Sequence, residues 1–264
     1  MNQLQPAEPA ADRGLNLARQ AIYRFASLAF LDPLVGAWSQ LSQGETQDCV
    51  LAAAELIRTE PVATAAEPGL GEFPPAALDP SLAIARLPGS SEELNAEFEA
   101  TFGLLVSSDC PAYETEYIDS KFSFQRSQQL AEIAGYYQAF GLEPSHRHRE
   151  RQDHIALELE FMAVVIGLEL LAAAQPSSDP DAQQHRVVCL QAQTSFLGNH
   201  LAWWVPAFAR LLGLLHGDGF YAASAKLLAA LIPVERALLG VPPASAGAQP
   251  HALDRPEECE GCVL

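Results

Sequence analysis

Between Ile155 and Leu171 apolar residues recur on two sides of one helix: 155, 159, 162 and 166 form one stripe, and 157, 161, 164, 168 and 171 form another on the opposite side. A helix that is apolar on two faces has to be packed on more than one side, so this segment belongs at the centre of the fold. Polar groups stand at its head, Asp153-His154 and then Glu158 and Glu160. Their desolvation has to be compensated by bonds made there. Two readings fit. In one, Asp153 is the N-cap, Glu158 and Glu160 suit the positive end of the helix dipole, and His154 pairs with Glu158 four residues on. In the other, Asp153 and His154 form a functional pair.

Helical period dominates the rest of the chain, with no convincing run of alternating strand residues. Residues 15–31 carry Leu17, Ile22, Phe25, Leu28 and Phe30 at helical spacing and stop at Asp32-Pro33. Residues 38–58 read as helical with an interruption near Gly44. Residues 59–90 are rich in Pro, Ala and Glu and read as a long loop with a short helix around Leu82. A helix follows over 91–102, with Ser91 as cap and Leu94, Phe98 and Phe102 four apart. Another spans 127–140 and is stopped by Gly141. Residues 183–215 hold one or two helices divided near Gly198 or Pro206, and 221–239 hold the last. The expected organisation is a flexible N-terminus over 1–14, one all-α, compact multi-helix bundle over 15–239, and a flexible tail over 240–264.

The formal net charge of −18 is adverse to binding a phosphate backbone, so no nucleic acid is expected as partner. It suits a basic peptide or protein. The first residues lack the basic and apolar regions of a signal peptide. The run from 161 to 174 is broken by Glu169 and too short to span a bilayer. Five scattered cysteines do not make a disulfide framework. A cytoplasmic location without membrane insertion is the expectation.

Between two of these helices lies Cys110-Pro111-Ala112-Tyr113-Glu114-Thr115-Glu116-Tyr117. It is a stiff, anionic, aromatic segment that suits peptide recognition; a helix-linking loop whose tyrosines cover the core edge is the other reading. Before it comes Glu97-Phe98-Glu99-Ala100-Thr101-Phe102. After it come Tyr136-Tyr137-Gln138-Ala139-Phe140-Gly141, Asp153-His154 with Glu158-Leu159-Glu160-Phe161-Met162, and His200 with Trp203-Trp204. This succession resembles the TorD/DmsD/NarJ family of chaperones that mature molybdenum enzymes, over about residues 15–239. The Tyr-Glu-Thr-Glu-Tyr form looks most like the delta subunits accompanying dimethyl sulfide, ethylbenzene, selenate and chlorate enzymes. Many relatives have Pro-Pro-Trp-Glu-Ser where this chain has Pro111-Ala112-Tyr113-Glu114-Thr115.

The resemblance implies a non-catalytic protein without a cofactor of its own. It would bind the immature catalytic subunit of a molybdenum oxidoreductase, and its twin-arginine leader, until molybdopterin is inserted. Carboxylates take arginine in a bidentate fork and aromatic rings stack on it. Tyr113, Glu114, Glu116, Tyr117, Asp153, His154 and Glu158 are therefore the expected client-binding set, with His154 as a source of pH sensitivity. His200, Trp203 and Trp204 are expected to pack between helices.

Other chemistry has weaker support. His146, His148, Asp153, His154 and Glu158 could be drawn as the metal site of an enzyme, but Arg147, Arg149 and Arg151 would repel a cation and no zinc-enzyme spacing is present. Cys259 and Cys262 form a C-x-x-C without a second pair; it reads as mobile tail or as a transient metal or redox site. There is no P-loop, dinucleotide fingerprint or nucleophile elbow. A structural subunit of an oxidoreductase complex is a further alternative. Monomer and homodimer both remain open, since a loop as long as 59–90 makes helix swapping physically easy.

Overall fold

The computed structural model describes residues 9–103, 109–118, 123–143, 150–176, 178–217 and 219–244. Helix α1 (Pro9–Phe30) is followed by a 3-10 turn at Pro33–Val35, α2 (Ala37–Leu41), α3 (Gly44–Thr59), α4 (Pro61–Thr64), a second 3-10 turn at Pro75–Ala77, α5 (Ser81–Arg86) and α6 (Ser91–Phe102). A third 3-10 turn, Glu114–Tyr117, precedes α7 (Ser123–Ala139), α8 (Ile155–Ala173), α9 (Pro180–Phe196), a π-helical turn at Leu197–Leu201, α10 (Ala202–Leu215) and α11 (Phe220–Leu239). Among the described residues extended pairing is confined to one isolated antiparallel bridge, Tyr113 with His154. The all-α expectation holds. No described helix is long and apolar enough to cross a membrane.

Helix α8 lies against α1 on one side and α9 on another, which is what its two apolar faces require. Ile155, Leu159, Phe161, Met162, Val165 and Ile166 are buried. The second stripe is only partly covered: Leu157 and Val164 are half-buried, and Leu168 and Leu171 are 37% and 66% exposed. The end of α7 does not reach across this side. It leaves a groove of about 500 Å3 lined by Phe140, Leu168, Leu171 and Val188.

Helix α11 is equally central, buried almost without interruption from Phe220 to Arg236. It packs on α10, α4 and α5, and accepts Pro233 within its length. An aromatic knot of Phe30, Phe98, Phe102, Phe208 and Tyr221, with centroids 5.1–6.4 Å apart, joins α1, α6, α10 and α11. The Phe30–Phe208, Phe98–Tyr221 and Phe102–Tyr221 pairs are edge-to-face, a geometry that adds about 0.5–1.5 kcal/mol each beyond area burial.

Residues 59–90 carry three short helical turns rather than one, and they are fastened to α11. Phe73 N donates to Ala229 O at 2.9 Å, and Arg236 takes the Glu72 carboxylate in a fork of 2.8 and 2.6 Å. At α6 the cap is Ser90, not Ser91: its side chain accepts from Glu93 N, three residues on. Gly141, at φ +67°, ends α7 in the left-handed conformation that favours glycine.

Candidate functional site

The bridge is the foundation of the site. Glu114 N donates to Asp153 O and Ile155 N to Ala112 O, both at 2.9 Å, clamping the Tyr-Glu-Thr-Glu-Tyr segment onto the head of α8. Ser27 Oγ of α1 donates to Ala156 O at 2.9 Å and fixes the first turn of α8 from behind. Tyr137 OH of α7 donates to Gln152 O at 2.8 Å. All seven residues of the expected set are therefore brought to one place.

Their roles differ from the expectation in three respects. The N-cap of α8 is His154, not Asp153: His154 Nδ1 accepts from Ala156 N at 3.2 Å. Asp153 is drawn away by partners on another segment. Its Oδ2 accepts from Thr115 N at 3.0 Å and Thr115 Oγ1 at 2.7 Å, and Arg151 grips both its oxygens at 2.7 and 2.8 Å. Asp153 and His154 thus do not act on each other as a side-chain pair. Nor does His154 pair with Glu158, whose Oε2 instead accepts from Trp204 Nε1 at 3.1 Å.

Burial sorts the set into an inner and an outer layer. Glu114, Asp153 and Glu158 are wholly buried, and His154, Thr115 and Tyr117 nearly so. Tyr113, Glu116 and Arg151 are partly open to solvent. In the inner layer Glu114 accepts from Gln129 Nε2 at 2.7 Å and Trp203 Nε1 at 2.6 Å, and lies 3.0 Å from His200 Nδ1. Glu158 is adjacent, and its protonated carboxyl hydrogen-bonds to Glu114. Tyr117 packs on Trp204 at 5.2 Å and donates to Pro111 O. His200 and Trp204 are buried as expected, and Trp203 is half-buried with its indole N–H turned inward to Glu114.

The charges follow from this layering. Burial, and then the charge of Glu114, hold Glu158 well above the usual carboxylate range and favour its protonated form. Burial also works against the charged form of Asp153, but the hydrogen bonds from Arg151 and Thr115 outweigh it and hold this carboxyl below its ordinary value. Burial pushes His154 down despite Glu150 and Asp153 nearby. A neutral ring with Nδ1 free is what the cap requires.

In the outer layer the Arg151 guanidinium lies 4.5 Å from the centroid of the Tyr113 ring. Besides its fork on Asp153 it donates to Glu116 Oε1 at 2.8 Å and Thr115 Oγ1 at 2.9 Å. Glu116 also takes Arg126 at 3.3 Å, and Tyr113 OH donates to Glu150 at 2.9 Å. Beside this surface a cleft of about 210 Å3 is lined by Tyr137, Leu142, Gln152, Leu157, Phe161 and Glu160. Arg151, Thr115, Gln129 and Trp203 were not foreseen as members. The Arg-x-Asp spacing of 151–153 was the one local signal available for Arg151.

Of the residues drawn as a metal site, His146 and His148 lie outside the described residues. Among the described residues no group of three or more His, Cys, Asp or Glu is placed to hold a metal. Cys259 and Cys262 also lie outside the described residues. Cys110 is buried, which pushes its thiol up to about 12 and keeps it unreactive.

An all-helical bundle with an acidic, aromatic hub at the head of its central helix defines the class. The family described as nitrate reductase delta subunit matches residues 76–210, a stretch that contains the whole hub, and the chain belongs to that family. Among curated relatives, chaperone protein TorD of Vibrio cholerae serotype O1 is 30% identical over 147 residues, 54% of this chain and 61% of the relative. The selenate reductase assembly chaperone protein of Thauera selenatis is 35% identical over 111 residues, 42% of this chain and 53% of the relative. The perchlorate reductase assembly chaperone protein of Dechloromonas aromatica is 27% identical over 192 residues, 72% of this chain and 76% of the relative. The chain spans less than two thirds of the first two of these relatives.

Proposed function

We propose that this protein is a dedicated, non-enzymatic assembly chaperone. It binds the immature catalytic subunit of a molybdenum oxidoreductase in the cytoplasm, together with its twin-arginine leader, before cofactor insertion and export. The observation that carries the reading is the likeness to relatives named as reductase assembly chaperones, within a family match that includes every residue of the hub. The chemistry of the hub supports it. In its outer layer Tyr113 and Glu116 already receive one guanidinium, that of Arg151, and so have the chemistry to receive a client's, while the neighbouring cleft offers Tyr137, Leu157 and Phe161 to apolar side chains. Glu114, Tyr117, His154 and Glu158 serve from beneath, as the rigid support that aims the groups above them. A metal-dependent enzyme is not favoured, because Asp153, His154 and Glu158 are each committed to protein partners.

The test is capture of partners from the native cytoplasm by the wild-type protein and by Tyr113→Ala and Glu116→Gln, with helicity checked by circular dichroism. A catalytic precursor still carrying its leader, reduced at least several-fold by either variant, is the expected result. Capture of mature, cofactor-loaded enzyme alone would move the protein to the role of a structural subunit.

A further inference from the structure

Arg151 makes four hydrogen bonds, a fork on Asp153 with one bond each to Thr115 and Glu116, while facing the ring of Tyr113. Fork, flanking carboxylate and aromatic face together are the full recognition set for one guanidinium. The receiving groups are rigid. Asp153 and Thr115 are buried and held by the bridge, and Thr115 Oγ1 both donates to Asp153 and accepts from Arg151.

The arginine itself is the least anchored part. Its side chain is 37% exposed, against 4% for Arg19 and 6% for Arg236 in the other two forks. Its fork partner Asp153 is only two residues away, and its hold on another segment is one bond each to Thr115 and Glu116 and the face of Tyr113.

We infer that the Asp153–Thr115–Glu116–Tyr113 cradle is an arginine-binding site occupied at rest by the chain's own Arg151, which a client arginine replaces. This rests on the chaperone reading and adds regulation to the same site. An occupied cradle weakens client binding in inverse proportion to the fraction of time that Arg151 leaves it empty. It also rejects weak basic peptides, since an entering side chain must match every bond that Arg151 gives up. A lysine cannot, because an ammonium lacks the planar fork.

Two measurements on the full chain test this. The first is the thermal midpoint with millimolar N-acetyl-arginine amide or N-acetyl-lysine amide. Arg151→Ala is expected to gain several degrees from the arginine amide alone, and the wild type nothing. Should Arg151→Ala fail to fold, Arg151→Lys, which keeps the charge without the fork, is expected to behave the same way. Equal responses of wild type and variant, or equal effects of the two amides, would overturn the inference.

The second is the affinity for a synthetic leader peptide with its two arginines, and for the same peptide with lysines. Arg151→Ala is expected to bind the arginine form about tenfold more tightly than the wild type does, with no gain for the lysine form. Weaker binding of the arginine peptide by the variant would make Arg151 a structural member of the site and sink the idea. Rescue by arginine amide without capture of any precursor would refute the chaperone reading and leave the cradle standing. Capture of the precursor without rescue would do the reverse.

Discussion

Two arginine forks in this molecule have nearly the same geometry and opposite surroundings. Arg19 grips Glu235 at 2.7 Å through both contacts, adds Asn16 and Gln193, and is almost fully enclosed between α1, α9 and α11. Arg151 grips Asp153 just as closely but from the rim. A buried guanidinium whose donors all find fixed acceptors locks elements together. The same fork with one side in water holds its partner's charge without committing the fold. Hydrogen-bond length therefore does not distinguish a lock from a latch; exposure does, at 4% for the Arg19 side chain and 37% for that of Arg151.

The comparison is broken most severely at the buried fork. Glu235→Ala leaves Arg19 charged and enclosed, and is expected to cost about 3–5 kcal/mol in urea unfolding. Equal costs for this variant and Arg151→Ala would erase the distinction. Arg236→Ala, which frees Glu72, is expected to cost about 2–3 kcal/mol and to speed exchange of the Phe73 amide bonded to Ala229. Arg151→Ala is expected to cost only about 1 kcal/mol, because Thr115 still bonds Asp153 and the lost pair was partly solvated.

The pH effects of two buried groups, His154 and Glu158, have opposite signs. His154 is held below its ordinary value, so the unfolded chain takes up its proton first and stability falls as pH drops below about 6.5. His154→Asn keeps a capping group and is expected to flatten that slope. Glu158 is held above its ordinary value, so stability is present at low pH and lost as pH rises. Glu158→Gln is expected to be more stable than the wild type by an amount that grows as pH rises above about 4.5, measured by thermal midpoints across a pH series.

The helices were legible wherever a local signal existed. Residues 15–31, 91–102 and the double stripe of α8 all announced themselves through period, and Gly141 and the Asp32-Pro33 stop through backbone chemistry. What escaped was settled by distant partners. Asp153 has the chemistry of a cap, but Thr115 and Arg151 compete for it and win, leaving the task to His154. Residues 59–90 look like loop because Pro and Gly interrupt them, yet Arg236 and Ala229 of α11 order them. The hub residues were found through their resemblance and their clustering of acids and aromatics. Their division into inner and outer layers was not, since burial is a property of the assembled helices.

The π-helical turn at Leu197–Leu201 carries a consequence of another kind. Just beyond it, the adjacent Trp203 and Trp204 reach two different carboxylates, Glu114 and Glu158. Each α-helical residue advances the azimuth by about 100°, so the extra residue of a π turn sets the angle at which both indoles arrive. The hub is consequently tuned by chain length as well as by side-chain identity. Removing Leu197, Gly198 or Leu201 would swing both tryptophans off their acids with every hub residue still present, a lesion that no survey of substitutions would reveal.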